Sequence, residues 1–263
     1  MSITTMSALV AAFPGQYLPF TKAAITGVAG AFTSLWTAAG QPGAGVASVG
    51  NTTTGLIPTA ATAGSFTFTN PAGGGVLSYL GRIRAASSSV GTLLLADRVW
   101  HGGAYTSVNG SISATTTTAV DRDSTGVAVE LWAEIATALS AVATTITVTY
   151  VNQAGTGSRT ATVTLPASAI AARMFPFALQ AGDTGIRQIT AISGSAAPTG
   201  TFNLVMLRRV ADVPLAVAGV SGGADFAALG MPQIFDNACV FMLMNTNSTS
   251  TGTLSGSAAL VQG

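Results

Sequence analysis

Residues 146–165 read ITVTYVNQAGTGSRTATVTL, and this stretch decides the fold class. Apolar and polar side chains alternate along both of its halves, and β-branched residues dominate, which is the pattern of a half-buried strand. Between the halves lies NQAGTGS, whose two glycines adopt turn conformations without steric cost. The stretch therefore predicts a β-hairpin of an antiparallel sheet, with one buried face and one wet face.

The polar face of this hairpin is built from threonine rather than from Lys or Glu. Its threonines are Thr147, Thr149, Thr160, Thr162 and Thr164. Across residues 146–165 the only charged side chain is Arg159. We expect one of the two threonine rows to face another subunit or sheet rather than open water, and we take all five threonines as candidate interface residues.

Similar strand patterns recur along the chain at spacings of about ten to fifteen residues. They fall at 65–69, 76–84, 91–100, 126–135, 185–192, 201–210, 233–244 and 252–261, while 111–120 reads as a polar strand or a long connection. Helical patterns are short and fall at 7–13 and 166–174. The chain is therefore predicted to be all-β, an antiparallel β-sandwich or jelly-roll-like fold with short helices.

The N-terminal part of the chain lacks this regularity. Residues 1–60 are apolar without a clear period, and they include a glycine-rich loop at 40–55. We interpret residues 1–60 as an extended N-terminal arm that lies on a neighbour, and residues 61–263 as a β-sandwich body.

Charge is scarce throughout the sequence. Only 7% of the 263 residues are charged, and 10 Lys plus Arg against 9 Asp plus Glu leave a net charge of +1. An average soluble domain carries about 25% charged residues. This composition excludes a cationic face for nucleic acid or anionic lipid. It favours a subunit whose surface is used in an assembly, although a merely neutral surface rich in Ser, Thr and Gly stays an alternative.

The sequence also bounds the cellular setting. One cysteine, Cys239, excludes an intrachain disulfide framework and lies in an apolar run, so we expect a buried thiol and synthesis in the cytoplasm. No run reaches the roughly eighteen apolar residues of a membrane helix. The N-terminus lacks a basic region before its apolar stretch, so no signal peptide is expected.

Few residues offer catalytic or metal chemistry. The single histidine, His101, would have to serve any Ser-His-Asp triad, and a hydrolase rests on it alone; the alternative is a strand-end histidine held by a backbone contact. One His and one Cys make no usual zinc site. Asp121, Arg122 and Asp123 suit part of a calcium loop, or a turn in which Arg122 is paired locally. We expect no catalytic residue, no cofactor and no metal.

Two glutamates and three tryptophans complete the candidates. Glu130 and Glu134 lie on one strand face about 13 Å apart, further than the roughly 5–9.5 Å of paired glycosidase carboxylates. Trp132 lies between them, and a tryptophan on a sheet face either stacks a sugar ring or belongs to a core or interface. We therefore count Trp36, Trp100 and Trp132 as candidate interface residues.

Three passages resemble a known class of proteins. They are residues 80–100, ending in ADRVW; the hairpin YVNQAGTGSRTATVTLPAS with the following FALQAGDTGIRQI; and FNLVMLRRVADVPL. The chain resembles minor structural proteins from the head–tail modules of tailed bacteriophages, from about residue 76 onward and more weakly at LVAAFPGQ near the N-terminus. The resemblance brings no functional residues with it.

The resemblance implies a non-enzymatic virion protein made in the host cytoplasm, one that decorates or cements the capsid surface. The expected partners are copies of itself, with a trimer favoured, and the major capsid protein; neither nucleic acid nor membrane is expected. Two alternatives stay open: a structural protein of the neck, tail or baseplate, and a carbohydrate- or receptor-binding module on the virion.

Overall fold

The computed structural model describes residues 5–13, 15–72, 76–112, 122 and 125–263. Strands dominate it, and every strand pair with a defined register is antiparallel. The predicted all-β, sandwich-like class is therefore confirmed. Of the two short helices, α1 (Met6–Ala12) is the one predicted near the N-terminus, and α2 (Phe226–Leu229) was not predicted.

The described residues form sixteen strands. They are β1 (Gln16–Lys22), β2 (Ala31–Ser34), β3 (Gly40–Gln41), β4 (Ser78–Ser87), β5 (Gly91–Tyr105), β6 (Gly110–Ile112), β7 (Val129–Thr137), β8 (Thr144–Asn152), β9 (Arg159–Leu165), β10 (Arg173–Pro176), β11 (Ile186–Gly194), β12 (Thr201–Leu215), β13 (Gly222–Asp225), β14 (Gln233–Ile234), β15 (Val240–Thr246) and β16 (Leu254–Gln262).

The strands belong to two compact units. Unit 1 comprises residues 1–45, 59–97 and 209–263. Its main sheet has the order β13-β4-β16-β1-β3, with β14 also on β4, and β15 pairs with β2 and β5. Its core is formed by buried side chains such as Phe20, Leu80, Ile83 and Met242.

Unit 2 comprises residues 46–58 and 98–208. It contains a four-stranded sheet in the order β6-β11-β8-β9, and β7 pairs with β10 and β12. The inward faces supply a separate core that includes Ile146, Val148, Leu165 and Phe202. The predicted hairpin is β8 and β9 of this sheet.

This division differs from the predicted arm over 1–60 and body over 61–263. All seven residues of β1 pair with β16, from Gln16 opposite Leu260 to Lys22 opposite Leu254, so the N-terminal segment is an integral strand of unit 1. The chain also passes between the units inside β5 and inside β12, where no change in composition marks a boundary.

Two local predictions are wrong. Residues 166–174 do not form a helix, because Ser168 and Ala172 adopt positive φ. The segment instead makes backbone hydrogen bonds to residues 135, 139 and 140. Residues 65–69 are not a strand, although Phe66 N–H donates to the Val240 carbonyl. Of the predicted strand or connection at 111–120, all but the first two residues lie outside the described part of the chain.

Candidate functional site

The strongest candidate surface is the outer face of the β8–β9 hairpin. The register places Thr145 opposite Thr164, Thr147 opposite Thr162, and Thr149 opposite Thr160. On the other side of β8, Ser193 lies opposite Thr147 and Ala191 lies opposite Thr149. We call these eight residues the hydroxyl face. Directly opposite residues of an antiparallel pair share one face of the sheet, so the eight side chains lie together.

The period-two pattern of the sequence produces this face. Ile146, Val148 and Tyr150 point into the core and are fully buried, which turns the intervening threonines outward. Thr160, Thr162 and Thr164 are exposed, and Thr147 and Thr149 are half-buried. Among the described residues, no element covers the β9 row, so this row is available to a partner molecule.

Every member of the hydroxyl face is uncharged, and the one charge of the hairpin is compensated nearby. Arg159 Nε and Nη2 donate to the Asp183 carboxylate at 2.9 and 3.0 Å. Asp183 also accepts from Tyr150 Oη at 2.6 Å and from Asn152 Nδ2 at 2.7 Å. The hydrogen bond from Arg159 is the main cause that lowers the pKa of Asp183 to about 2, and the bonds from Tyr150 and Asn152 act in the same direction. The arginine is thereby held in an ion pair at the end of the hairpin.

The three tryptophans do not contribute to a surface. Trp36, Trp100 and Trp132 are each at most 1% exposed. Trp36 packs edge-on against Phe241 with ring centroids 6.0 Å apart. Trp100 Nε1 donates to the Thr54 carbonyl, and Trp132 Nε1 donates to Glu130 Oε2. Because the indoles are enclosed by their own chain, their prediction as interface or sugar-stacking residues is corrected.

Glycines of the 40–55 loop explain two of these buried indoles. In unit 1, a methyl group on Gly45 would collide with the Trp36 indole. In unit 2, a methyl group on Gly55 would collide with the Trp100 indole. Gly45 and Gly55 are therefore required by close packing on tryptophan, which the sequence pattern did not reveal.

His101 belongs to a buried polar cluster in unit 2. Its Nδ1 lies 2.6 Å from Arg98 Nη1, and Arg98 binds both carboxylate oxygens of Glu134 at 3.0 and 3.1 Å. Asn203 Nδ2 lies 3.4 Å from Glu134 Oε2 and donates to the Ala47 carbonyl at 2.7 Å. Burial and the adjacent Arg98 charge lower the pKa of His101 to about 3.

The hydrolase alternative loses its support in this geometry. His101 is 0% exposed, so a substrate does not reach its ring in this conformation. Its Nδ1 accepts a hydrogen bond from Arg98, and among the described residues no serine hydroxyl is hydrogen-bonded to the ring. The cluster joins β5, β7 and β12, and the arrangement is that of an internal ion pair with a neutral imidazole beside it.

The remaining carboxylate candidates have structural partners or lie outside the described residues. Glu134 is bound to Arg98, and Glu130 accepts from the indole of Trp132, so the two glutamates do not act as a pair. Asp121 and Asp123 lie outside the described residues. Arg122 donates to the carbonyls of Pro58 and Arg98. Within the described ranges, no group of three His, Cys, Asp or Glu side chains is placed to hold a metal ion.

The structure adds two buried residues of unit 1. The burial of Lys22 was not predicted from the sequence, whereas the burial of Cys239 was. The sole lysine, Lys22, is 2% exposed and donates to the carbonyls of Ala38 and Pro42 at 3.0 and 2.8 Å, and burial lowers its pKa to about 8. Cys239 is buried as expected, and its backbone N–H donates to Asp97 Oδ1. Both residues stabilise loops or strands of unit 1.

Comparison with known proteins adds no relative. The chain matches no protein-family model, no curated protein and no solved structure. In the part of the chain that the structure describes, neither helix is long and apolar enough to cross a membrane.

Proposed function

We propose that this chain is a non-enzymatic structural protein of a tailed-phage virion, which decorates or cements the capsid as a homo-oligomer, with a trimer favoured. The observation that carries the proposal is the hydroxyl face: an exposed, uncharged sheet face on a chain with little charge anywhere. The resemblance of residues 76 onward to head–tail module proteins supports the virion setting. Copies of the chain and the major capsid protein are the proposed partners.

The composition of the face suits an interface between like surfaces. Two copies bring no like charges together, because none of the eight residues is charged, and threonine hydroxyls both donate and accept hydrogen bonds. Thr145 Oγ1 and Thr164 Oγ1 already lie 3.2 Å apart across the hairpin. Such side chains pair with a second hydroxyl row without a desolvated charge, which is the costly element of a buried contact.

The hydroxyl face is too small to form a stable interface by itself. Three strands and five residues span roughly 10 Å by 13 Å between outer Cα atoms, at about 4.8 Å per strand and 3.3 Å per residue. A stable interface takes about 800 Å² from each partner, so the hydroxyl face forms the centre of a larger contact. At about 25 cal/mol per Å², that area gives a gross gain of order 20 kcal/mol before association costs remove most of it.

Two experiments test the proposal separately. Light scattering on the purified chain measures self-association, and Thr147→Lys with Thr162→Lys should shift the chain toward monomer. Thr67→Lys, an exposed threonine of unit 1, is the matched control and should leave the mass unchanged. A wild-type chain that is monomeric at all concentrations removes the self-assembly part of the proposal.

The virion setting has its own readout. The copy number of the chain relative to the major capsid protein in purified particles should be high if the chain decorates the shell. A low, symmetry-limited number per particle favours the neck, tail or baseplate alternative. Complete absence of the chain from purified particles contradicts the virion proposal.

A second candidate function, glycan binding, is favoured by a groove in unit 1. The groove has a volume of about 320 Å³ and carries no charged lining residue. Tyr17 borders it with 55% of its surface exposed, and its hydroxyl donates to Ser257 Oγ at 2.8 Å, which fixes the ring. Gln41 and Thr67 add exposed polar groups. Glycan-array binding that survives Tyr17→Phe and is lost in Tyr17→Ala supports this function; no binding by the wild type rejects it.

A further inference from the structure

Two arginines line a groove in unit 1, whereas the hydroxyl face belongs to unit 2. Arg82 and Arg84 lie on the same side of β4, and with residues 221–225 they border a cavity of about 350 Å³. Arg82 is half-buried and Arg84 is exposed. Among the described residues neither guanidinium has a hydrogen-bond or ion-pair partner. We call this cavity the arginine groove.

Two neighbouring arginines without an ion-pair partner contrast with other cations of this chain. Arg98 and Arg159 are held by Glu134 and Asp183, and Lys22 is held by backbone carbonyls. Like charges on adjacent positions of one sheet face repel each other. A protein that carries so few charges therefore places two cations side by side in a cavity where an external anion can neutralise both.

The carboxylate nearest in register also lines the groove, but it forms no ion pair with either arginine. Asp225 lies opposite Arg82 in the β13–β4 ladder. Its Oδ1 accepts instead from the backbone N–H groups of Ala227 and Ala228 at 3.1 and 3.2 Å, as the cap of α2. The guanidinium of Arg82 is left for another partner.

Small residues around the pair keep the groove open. Gly223 lies opposite Arg84, and a methyl group there would lie only 2.9 Å from Arg84 Cγ, so the glycine makes room for the arginine stem. On the other side of β4, Ser257 lies opposite Arg84 and Ala259 opposite Arg82. The stem of Arg84 thus lies against β13, which is the edge strand of its sheet.

We propose that the arginine groove binds an extended acidic segment of a partner polypeptide, with carboxylates at alternate positions. Residues two apart on a strand are separated by about 6.6 Å, so Arg82 and Arg84 match two carboxylates spaced i and i+2 on a second extended chain. Each guanidinium can bind a carboxylate through two parallel hydrogen bonds. The edge of β13 offers the backbone groups to which an added strand pairs.

Fluorescence anisotropy with labelled peptides tests this site on the full chain. The probe is Thr-Glu-Thr-Glu-Thr-Gly; the controls are Thr-Gln-Thr-Gln-Thr-Gly and Thr-Glu-Glu-Thr-Thr-Gly. We expect saturable binding of the alternating probe, weaker binding of the adjacent-Glu peptide, and none of the Gln peptide. Arg82→Gln and Arg84→Gln should each weaken probe binding about tenfold, which corresponds to about 1.4 kcal/mol.

The matched control variant is Arg209→Gln, since Arg209 is a partly exposed arginine of the same unit, 3.9 Å from Asp212. It should leave probe binding unchanged, and equal thermal midpoints of all variants would exclude a folding defect. Equal affinity for both acidic peptides, with full competition by inorganic phosphate, would mean a simple oxyanion site and overturn the proposal. No probe binding, or equal loss in Arg209→Gln, overturns it as well.

Discussion

His101 Nδ1 lies 2.6 Å from Arg98 Nη1 inside unit 2, and this contact decides the protonation state of the imidazole. A guanidinium only donates hydrogen bonds, so Nδ1 must accept and the ring proton lies on Nε2. Protonating Nδ1 would set a second cation against Arg98 in a site without solvent. Glu134 opposes this effect only in part, because it already binds Arg98 through both oxygens.

The first prediction concerns stability in mild acid. The pKa of His101 falls from 6.5 to about 3 on folding, so its contribution to stability is complete above pH 6.5 and is lost as the pH falls toward 3. The loss is about 1.4 kcal/mol per pH unit, or about 3 kcal/mol near pH 4.5. Urea unfolding of the wild type should show this decline, and His101→Gln should flatten it. An identical pH profile of both proteins contradicts the assignment.

The second prediction concerns the buried ion pair. Arg98→Met or Glu134→Leu alone leaves an uncompensated buried charge and should cost about 3–5 kcal/mol of unfolding free energy. The double variant should cost much less than the sum, because no charge is stranded. Arg209 and Asp212, which are exposed and 3.9 Å apart, form the control pair, and their removal should cost less than about 1 kcal/mol. Additive losses at Arg98 and Glu134 would contradict the coupling.

The sequence predicted structure that depends on neighbouring residues, and it did not predict contacts between residues far apart in the sequence. The hairpin of β8 and β9 is local, and its alternation correctly predicted a buried row and a threonine row. The partner of Arg159 is Asp183, 24 residues later, and no periodicity connects them. Likewise, the alternation of β7 placed Trp132 and Glu134 on one face without showing that this face is buried too.

The division into two units could not be predicted from the sequence either, because it also depends on contacts between distant segments. A boundary usually falls in a linker, but here two of the four crossings fall inside β5 and β12, between Asp97 and Arg98 and between Arg208 and Arg209. The N-terminal segment looked irregular because β1 contains Pro19 and ends on the buried Lys22. β1 pairs with β16 over residues 16–22 and 254–260, a relationship of long sequence separation that no local pattern shows.

The third prediction concerns the packing of glycine on Trp36. Gly45→Ala adds a methyl group where the indole already lies, so it should lower the unfolding free energy by about 1–3 kcal/mol. Gly43→Ala is the matched control in the same loop, because nothing lies within 4 Å of its added methyl. Chemical unfolding monitored by tryptophan fluorescence measures both. Equal stability of the two variants would show that the loop yields freely around Trp36.

The last prediction concerns Asp183, whose carboxylate accepts from Tyr150, Asn152 and Arg159. Asp183→Asn replaces one acceptor oxygen with an NH₂ donor that faces these donors, so the thermal midpoint should fall. Because folding lowers the pKa of this carboxyl from 3.8 to about 2, its stabilisation is present above pH 3.8 and disappears as the pH falls toward 2. The wild type and the variant should therefore converge in midpoint across that interval. Asp212→Asn, at an exposed pair, should change the midpoint little at any pH. A gap between wild type and Asp183→Asn that is the same at pH 2 and pH 7 would mean that the lost charge is not what stabilises the end of the hairpin.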